Sequence, residues 1–165
     1  MRGILCVCRR VRGYRIITKE AITLDESTNQ LFLSIPDADF REQLIFGQDY
    51  DPDAYTAGGI RLFKNLSCRT AQELMERGYL PPEDKQNDAP TAQEFIDFMT
   101  AHNPDNWTLH GYSVSPKRED VRISIDGIGS IGPLADHDMV DFLRTFRTAN
   151  VLNAEDGKPV SCWYD

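Results

Sequence analysis

Trp107-Thr108-Leu109-His110-Gly111-Tyr112-Ser113-Val114 and, seven residues on, Val121-Arg122-Ile123-Ser124-Ile125 decide how this chain reads. Both runs are rich in aromatic and β-branched residues, and Ser115-Pro116-Lys117-Arg118-Glu119-Asp120 between them is turn chemistry. In the second run Val121, Ile123 and Ile125 alternate with Arg122, Ser124 and Asp126. Side chains on a strand point alternately to its two faces, so this pattern predicts a hairpin with one buried and one wet face.

Downstream, Met139, Phe142, Leu143 and Phe146 form an apolar stripe at helical spacing and predict a helix over Asp136–Ala149. Asp136 and Asp138 suit the positive end of its dipole, Arg144 and Arg147 the negative end. Val160-Ser161-Cys162-Trp163-Tyr164 predicts a last strand. Upstream, Thr70-Ala71-Gln72-Glu73 and Thr91-Ala92-Gln93-Glu94 both have capping-box form, Thr followed three residues later by Glu. Each predicts a helix start, the first helix stopping at Gly78 and the second near His102, before Pro104. Between them, Pro81–Pro90 reads as a polar, exposed linker.

Tyr14–Thr18 and Gln30–Ile35 read as strands separated by turn residues, with Pro36 closing the second. Asp37 or Asp39 would cap a short helix through Phe40, Leu44 and Ile45, ending at Gly47. Gln48–Gly59 is an Asp-rich loop, and Ile60, Leu62, Phe63 and Leu66 suggest a short helical or irregular apolar segment. Hairpins mixed with helices, without regular strand–helix alternation, indicate an α+β fold: a mainly antiparallel sheet packed with roughly three to five short helices. At 165 residues the expectation is a single domain over 1–165 with a basic N-terminal segment, 1–19.

That segment splits the charge. Six of the 18 basic residues lie in it with no acid, which leaves 12 against all 26 acids in residues 20–165. A body of −14 repels nucleic acid and anionic membranes. The one candidate for nucleic-acid contact is Arg9, Arg10, Arg12 and Arg15, with Tyr14 interleaved to stack a base. The acidic pI of 4.9 opposes a dedicated nucleic-acid domain, and the same arginines read better as an edge strand pairing with the body's acids.

Glycines Gly127, Gly129 and Gly132 match the G-x-G-x-x-G spacing of a dinucleotide loop, between a strand and a helix. Pro133 delays that helix, Asp126, Asp136 and Asp138 surround the would-be phosphate with negative charge, and too little chain follows Glu155 to complete such a half-fold. The expectation is therefore a glycine-rich bend and no cofactor.

Asp49, Asp51 and Asp53 open like a calcium loop, but Ala54 replaces the turn glycine and Ile60 the bidentate Glu. They are the candidate divalent-metal ligands, and a metal-dependent hydrolase built on them is the alternative function. His102, His110 and His137 have no zinc-protease spacing, and no nucleophile elbow or phosphate-binding loop is present. His110 on its strand could act as a base, though a structural role suits a lone strand histidine better. The four cysteines, Cys6, Cys8, Cys68 and Cys162, read as buried free thiols.

No apolar run reaches the roughly 20 residues of a membrane span, and no secretory leader is evident, so a cytoplasmic protein without membrane contact is expected. Acidic charge without catalytic grammar points to a soluble interaction module, an accessory, regulatory or inhibitor-type protein whose partner is a protein with a basic surface.

Overall fold

In a computed structural model of the chain, residues 35–48 and 50–165 are described, all within a compact unit spanning Phe32–Asp165. The N-terminal strand readings at 14–18 and 30–34, the basic segment, Cys6 and Cys8 lie outside the described residues, as does Asp49.

Helix α1 spans Ile35–Phe46, so Ile35 belongs to a helix and Pro36 sits in its first turn, where a missing amide costs no hydrogen bond. It stops as expected at Gly47, whose φ of +92° favours glycine. Strand β1 spans Ile60–Leu66, which corrects the helical or irregular reading of this segment. The reason is pairing: Ile60 faces Val114 and Phe63 faces Gly111 in antiparallel register, and a bulge after Phe63 brings Leu66 opposite Leu109. Helices α2 (Cys68–Glu76) and α3 (Ala92–Ala101) follow, then a single 3-10 turn, Pro104–Asn106.

The hairpin forms from β2 (Trp107–Val114) and β3 (Ile123–Pro133). The glycine pattern is not a bend. Gly127, Gly129 and Gly132 lie inside β3, which runs straight on past Ile125. Nor is the second face of β3 wet, because Ser124 and Asp126 are buried. The 81–90 segment accounts for Ser124: Gln86 Oε1 accepts hydrogen bonds from the Tyr112 hydroxyl at 3.1 Å and the Ser124 hydroxyl at 3.4 Å. That segment is thus pinned rather than fully exposed, with Leu80 and Ala89 buried at its ends.

Helix α4 spans Asp136–Thr145, shorter than expected, with Phe142 and Phe146 buried and Leu143 turned outward. A short strand β4, Val151–Asn153, was not legible, and β5, Pro159–Trp163, falls where expected. Among the described residues the sheet has five strands, all antiparallel, in the order β1-β2-β3-β5-β4. With the four α-helices of the described residues it has the α+β architecture expected.

Period-two alternation puts Trp107 and Leu109 on one face of β2, and the helices pack there. Phe98 of α3 meets the Trp107 ring edge-on at 5.0 Å, and Phe142 of α4 stacks on Trp107 at 5.7 Å. Phe146 stacks on Phe95 at 5.6 Å and joins α4 to α3. These rings, with Ile125, Ile128 and Cys162 from the strands, form the core. Among the described residues no helix is long and apolar enough to cross a membrane.

Candidate binding recess

One end of the sheet carries a connected set of buried charge and hydrogen bonds. It is built from α1, the 50–59 loop and the 115–120 turn. Arg41 and Glu42 are adjacent on α1 and both fully buried. Burying charge is tolerated only where it is paired and hydrogen-bonded; here the two charges pair, and of the guanidinium nitrogens Nη1 alone is left without a partner among the described residues. Arg41 Nε donates to Glu42 Oε1 at 2.7 Å, and its Nη2 donates to the same carboxylate, to Ser113 Oγ at 3.1 Å and to the Val114 carbonyl at 2.9 Å. Ser113 Oγ donates to Glu42 Oε1 at 2.8 Å, and the Tyr55 hydroxyl donates to Glu42 Oε2. Helix α1 is therefore fastened to β2, and the 50–59 loop to α1, through one carboxylate.

The loop is held at further points. Arg61 lies over the Phe46 ring at 3.9 Å and donates to the Asp51 carbonyl at 3.2 Å. The Tyr50 hydroxyl donates to Asp39, and this bond, followed by burial, pushes the phenol up to about 12. Burial and the bond to Glu42 raise the Tyr55 phenol as well. Both tyrosines are thus neutral donors with fixed rings at any ordinary pH. Across from them, Arg118 grips Asp120 with Nε and Nη2, each at 2.7 Å, and its Nη1 donates to the Gly58 carbonyl. Arg118, with help from Arg122, brings the Asp120 carboxyl down to about 2.

Between these fixed walls lies a recess of 240 Å³, lined mainly by Ala38, Tyr50, Pro52, Tyr55 and Pro116, with Asp39, Ser115 and Lys117 at its polar edge. It shares Pro52, Tyr55, Ser115 and Lys117 with a shallower trough of 590 Å³ that runs along Thr56–Gly59 to Arg118. Two tyrosines and two prolines give a stiff apolar lining that loses little entropy on contact.

Of the candidate metal ligands, Asp51 and Asp53 sit beside this recess, and Asp49 lies outside the described residues. Asp51 Oδ1 accepts the Asp53 amide at 2.9 Å, which turns the loop on itself. Asp53 faces Lys117 Nζ at 3.4 Å, both well exposed. Among the described residues no group of three or more His, Cys, Asp or Glu gathers as a metal would require. Arg9, Arg10, Arg12 and Arg15 lie outside the described residues.

The histidines are spread over separate parts of the fold. His102 caps α3, stacks on Phe98 at 4.2 Å and bonds the Phe98 carbonyl through Nδ1 at 2.9 Å. His137 is exposed beside Asp138. His110 lies edge-on to Trp163 at 6.1 Å, with Nε2 buried and without a hydrogen-bond partner. Burial, then the charge of Lys64, lowers its pKa.

Close cross-strand contacts explain two glycines of the pattern. A Cβ on Gly129 would come within 2.7 Å of His110 Nε2, and one on Gly127 within 2.4 Å of the Cys162 carbonyl. These glycines make room for a cross-strand imidazole and for close approach of β5. They do not form a phosphate loop, which would need a turn leading into a helix N-terminus. Cys68 and Cys162 are buried free thiols, as expected, and burial raises both, Cys162 to about 12.

Sequence reasoning marked the acidic loop but missed what it lines. The tyrosines and proline among its aspartates were the legible signal. Arg41-Glu42 gave none, since adjacent charges on a helix ordinarily mark a solvated face. Comparison of the chain with family models, curated proteins and solved structures gave no match.

Proposed function

We propose that this protein is an acidic interaction module, an accessory, regulatory or inhibitor-type chain whose partner is a protein with a basic surface. The observation that carries this reading is the recess: an apolar, tyrosine- and proline-lined hollow whose neighbouring carboxylates, Asp39, Asp51 and Asp53, are exposed. At 240 Å³ the recess itself has room for one anchoring side chain, with the 590 Å³ trough beside it to take the chain that carries it. The charge balance of −8 over the whole chain favours a cationic partner and steers its approach.

A catalytic reading finds less support. Tyr50 and Tyr55 are held protonated, and Lys117 faces Asp53 in solvent. His110 Nε2 is buried and makes no hydrogen bond among the described residues that would orient the ring for proton transfer.

Native mass spectrometry of the protein isolated gently from its source cells tests the proposal. The expected result is a complex with a basic protein that dissociates as ionic strength rises, because exposed charge pairs are screened within about 10 Å at 0.1 M salt. A chain that carries only a metal ion or a small molecule, or a complex indifferent to salt, would overturn it.

A further inference from the structure

We propose that the recess and its trough bind a short extended peptide segment of the partner, with one apolar side chain, proline or aliphatic, in the recess and basic residues on either side of it. The inference rests on the interaction reading above and names its determinant. Three observations carry it.

First, the recess is a socket rather than a general apolar surface. Ala38 is only 2% exposed, and Pro52, Tyr55 and Pro116 are placed by rigid backbone or by the bond to Glu42. An aliphatic or proline side chain fills such a volume without stripping water from a charge.

Second, the socket opens into a trough and so into a direction. The two hollows share four residues, and the trough runs past the Thr56–Gly59 backbone. An extended chain anchored at one point can continue along it.

Third, the charges are unequal in their freedom. Arg118 is committed to Asp120 and to the Gly58 carbonyl, and Arg41 to Glu42. Among the described residues of the lining, Lys117 is the loosely held cation, paired at 3.4 Å with Asp53. Against it stand the exposed carboxylates of Asp39, Asp51 and Asp53. The margin is therefore negative on balance, and a basic flank complements it. A proline-bearing segment is favoured further because its extended conformation is preformed.

The test uses the full chain and an array of labelled peptides, Arg-Arg-Gly-Xaa-Gly-Arg-Arg, with Xaa varied over the standard amino acids and read by fluorescence anisotropy. The expected result is tightest binding with Xaa as Pro, Leu, Ile or Val, and about tenfold weaker binding with Xaa as Gly or Asp. Replacing the flanking Arg by Glu should abolish binding. Ala38→Leu, which fills the socket, should remove the preference for Xaa. Tyr50→Ala, at a half-buried residue on the recess wall, should weaken the apolar peptides about tenfold and serves if Ala38→Leu fails to fold.

Equal binding of every Arg-flanked peptide, unchanged by either variant, would overturn the socket and leave the acidic-module reading standing. No binding by any peptide would overturn the socket as well. If a salt-sensitive basic partner were still found by mass spectrometry, the module reading would survive that loss. Binding of free proline or a small apolar amide as tight as that of the peptide would reassign the recess to a small molecule.

Discussion

Asp126 is the extra residue where the β2–β3 register slips: Ile125 faces Gly111, and Gly127 faces His110. The residue is 4% exposed, and its Oδ1 has no hydrogen-bond partner among the described residues. Burial pushes its pKa up to about 7. A folded-state value above the unfolded one means that the folded chain holds a proton the unfolded chain has released. Stability from this group is complete below about pH 4 and falls as pH rises to about 7. Asp126→Asn should therefore stabilise the protein by about 2–4 kcal/mol at pH 8 and leave it nearly unchanged at pH 4. Urea unfolding at the two pH values checks this, and an equal gain at both would show that the carboxyl is not held protonated. The sequence placed Asp126 on the wet face because alternation alone cannot register a bulge.

The two Thr-x-x-Glu motifs are identical in form, yet the chain uses them differently. At α3 the box closes: Thr91 Oγ1 accepts the Glu94 amide at 3.2 Å, and Glu94 Oε2 accepts the Thr91 amide at 2.7 Å. At α2 the cap is Ser67, whose Oγ accepts the Thr70 amide at 3.1 Å. Glu73 instead turns to Arg77, one turn on, at 2.8 Å. Helix α2 begins earlier because β1 ends at Leu66 and Cys68, Ala71 and Leu74 must reach the core. Thr91→Ala and Ser67→Ala should each cost about 1 kcal/mol, whereas Thr70→Ala should fall within about 0.5 kcal/mol of the parent. Thermal melts of the three variants separate these outcomes, and a large loss at Thr70 would restore the box that the sequence suggested. Helix and hairpin existence was legible from periodicity; which hydroxyl caps, and how far β3 runs through its glycines, depended on neighbours distant in the chain.

Arg41 and Glu42 join parts of the fold that are far apart in sequence, since Ser113 and Val114 lie more than 70 residues away. A buried pair of this kind contributes little net stability, but losing one member leaves a charge without its partner. Glu42→Gln should cost about 3–5 kcal/mol, and the double change Arg41→Leu with Glu42→Leu should cost less than Glu42→Gln alone. Chemical denaturation of the three proteins measures this. A double variant as weak as the sum of two single losses would show that packing, not uncompensated charge, sets the cost. The same pair governs the recess, because Tyr55 is oriented by Glu42. Loss of Glu42 should therefore disturb peptide binding as well as stability.

From the sequence alone came the α+β class, the hairpin, the α3 cap, the final strand and the acidic body. Each rests on local periodicity, on capping chemistry or on summed charge, which neighbouring residues carry by themselves. Tertiary structure decided that Ile60–Leu66 is a strand, that the glycine pattern sits within a sheet, and that Arg41 and Glu42 are buried. It also brought Ala38, Tyr55 and Pro116 around one hollow. These follow from strand pairing and from packing between segments distant in the chain, whose free energy appears only when the segments meet.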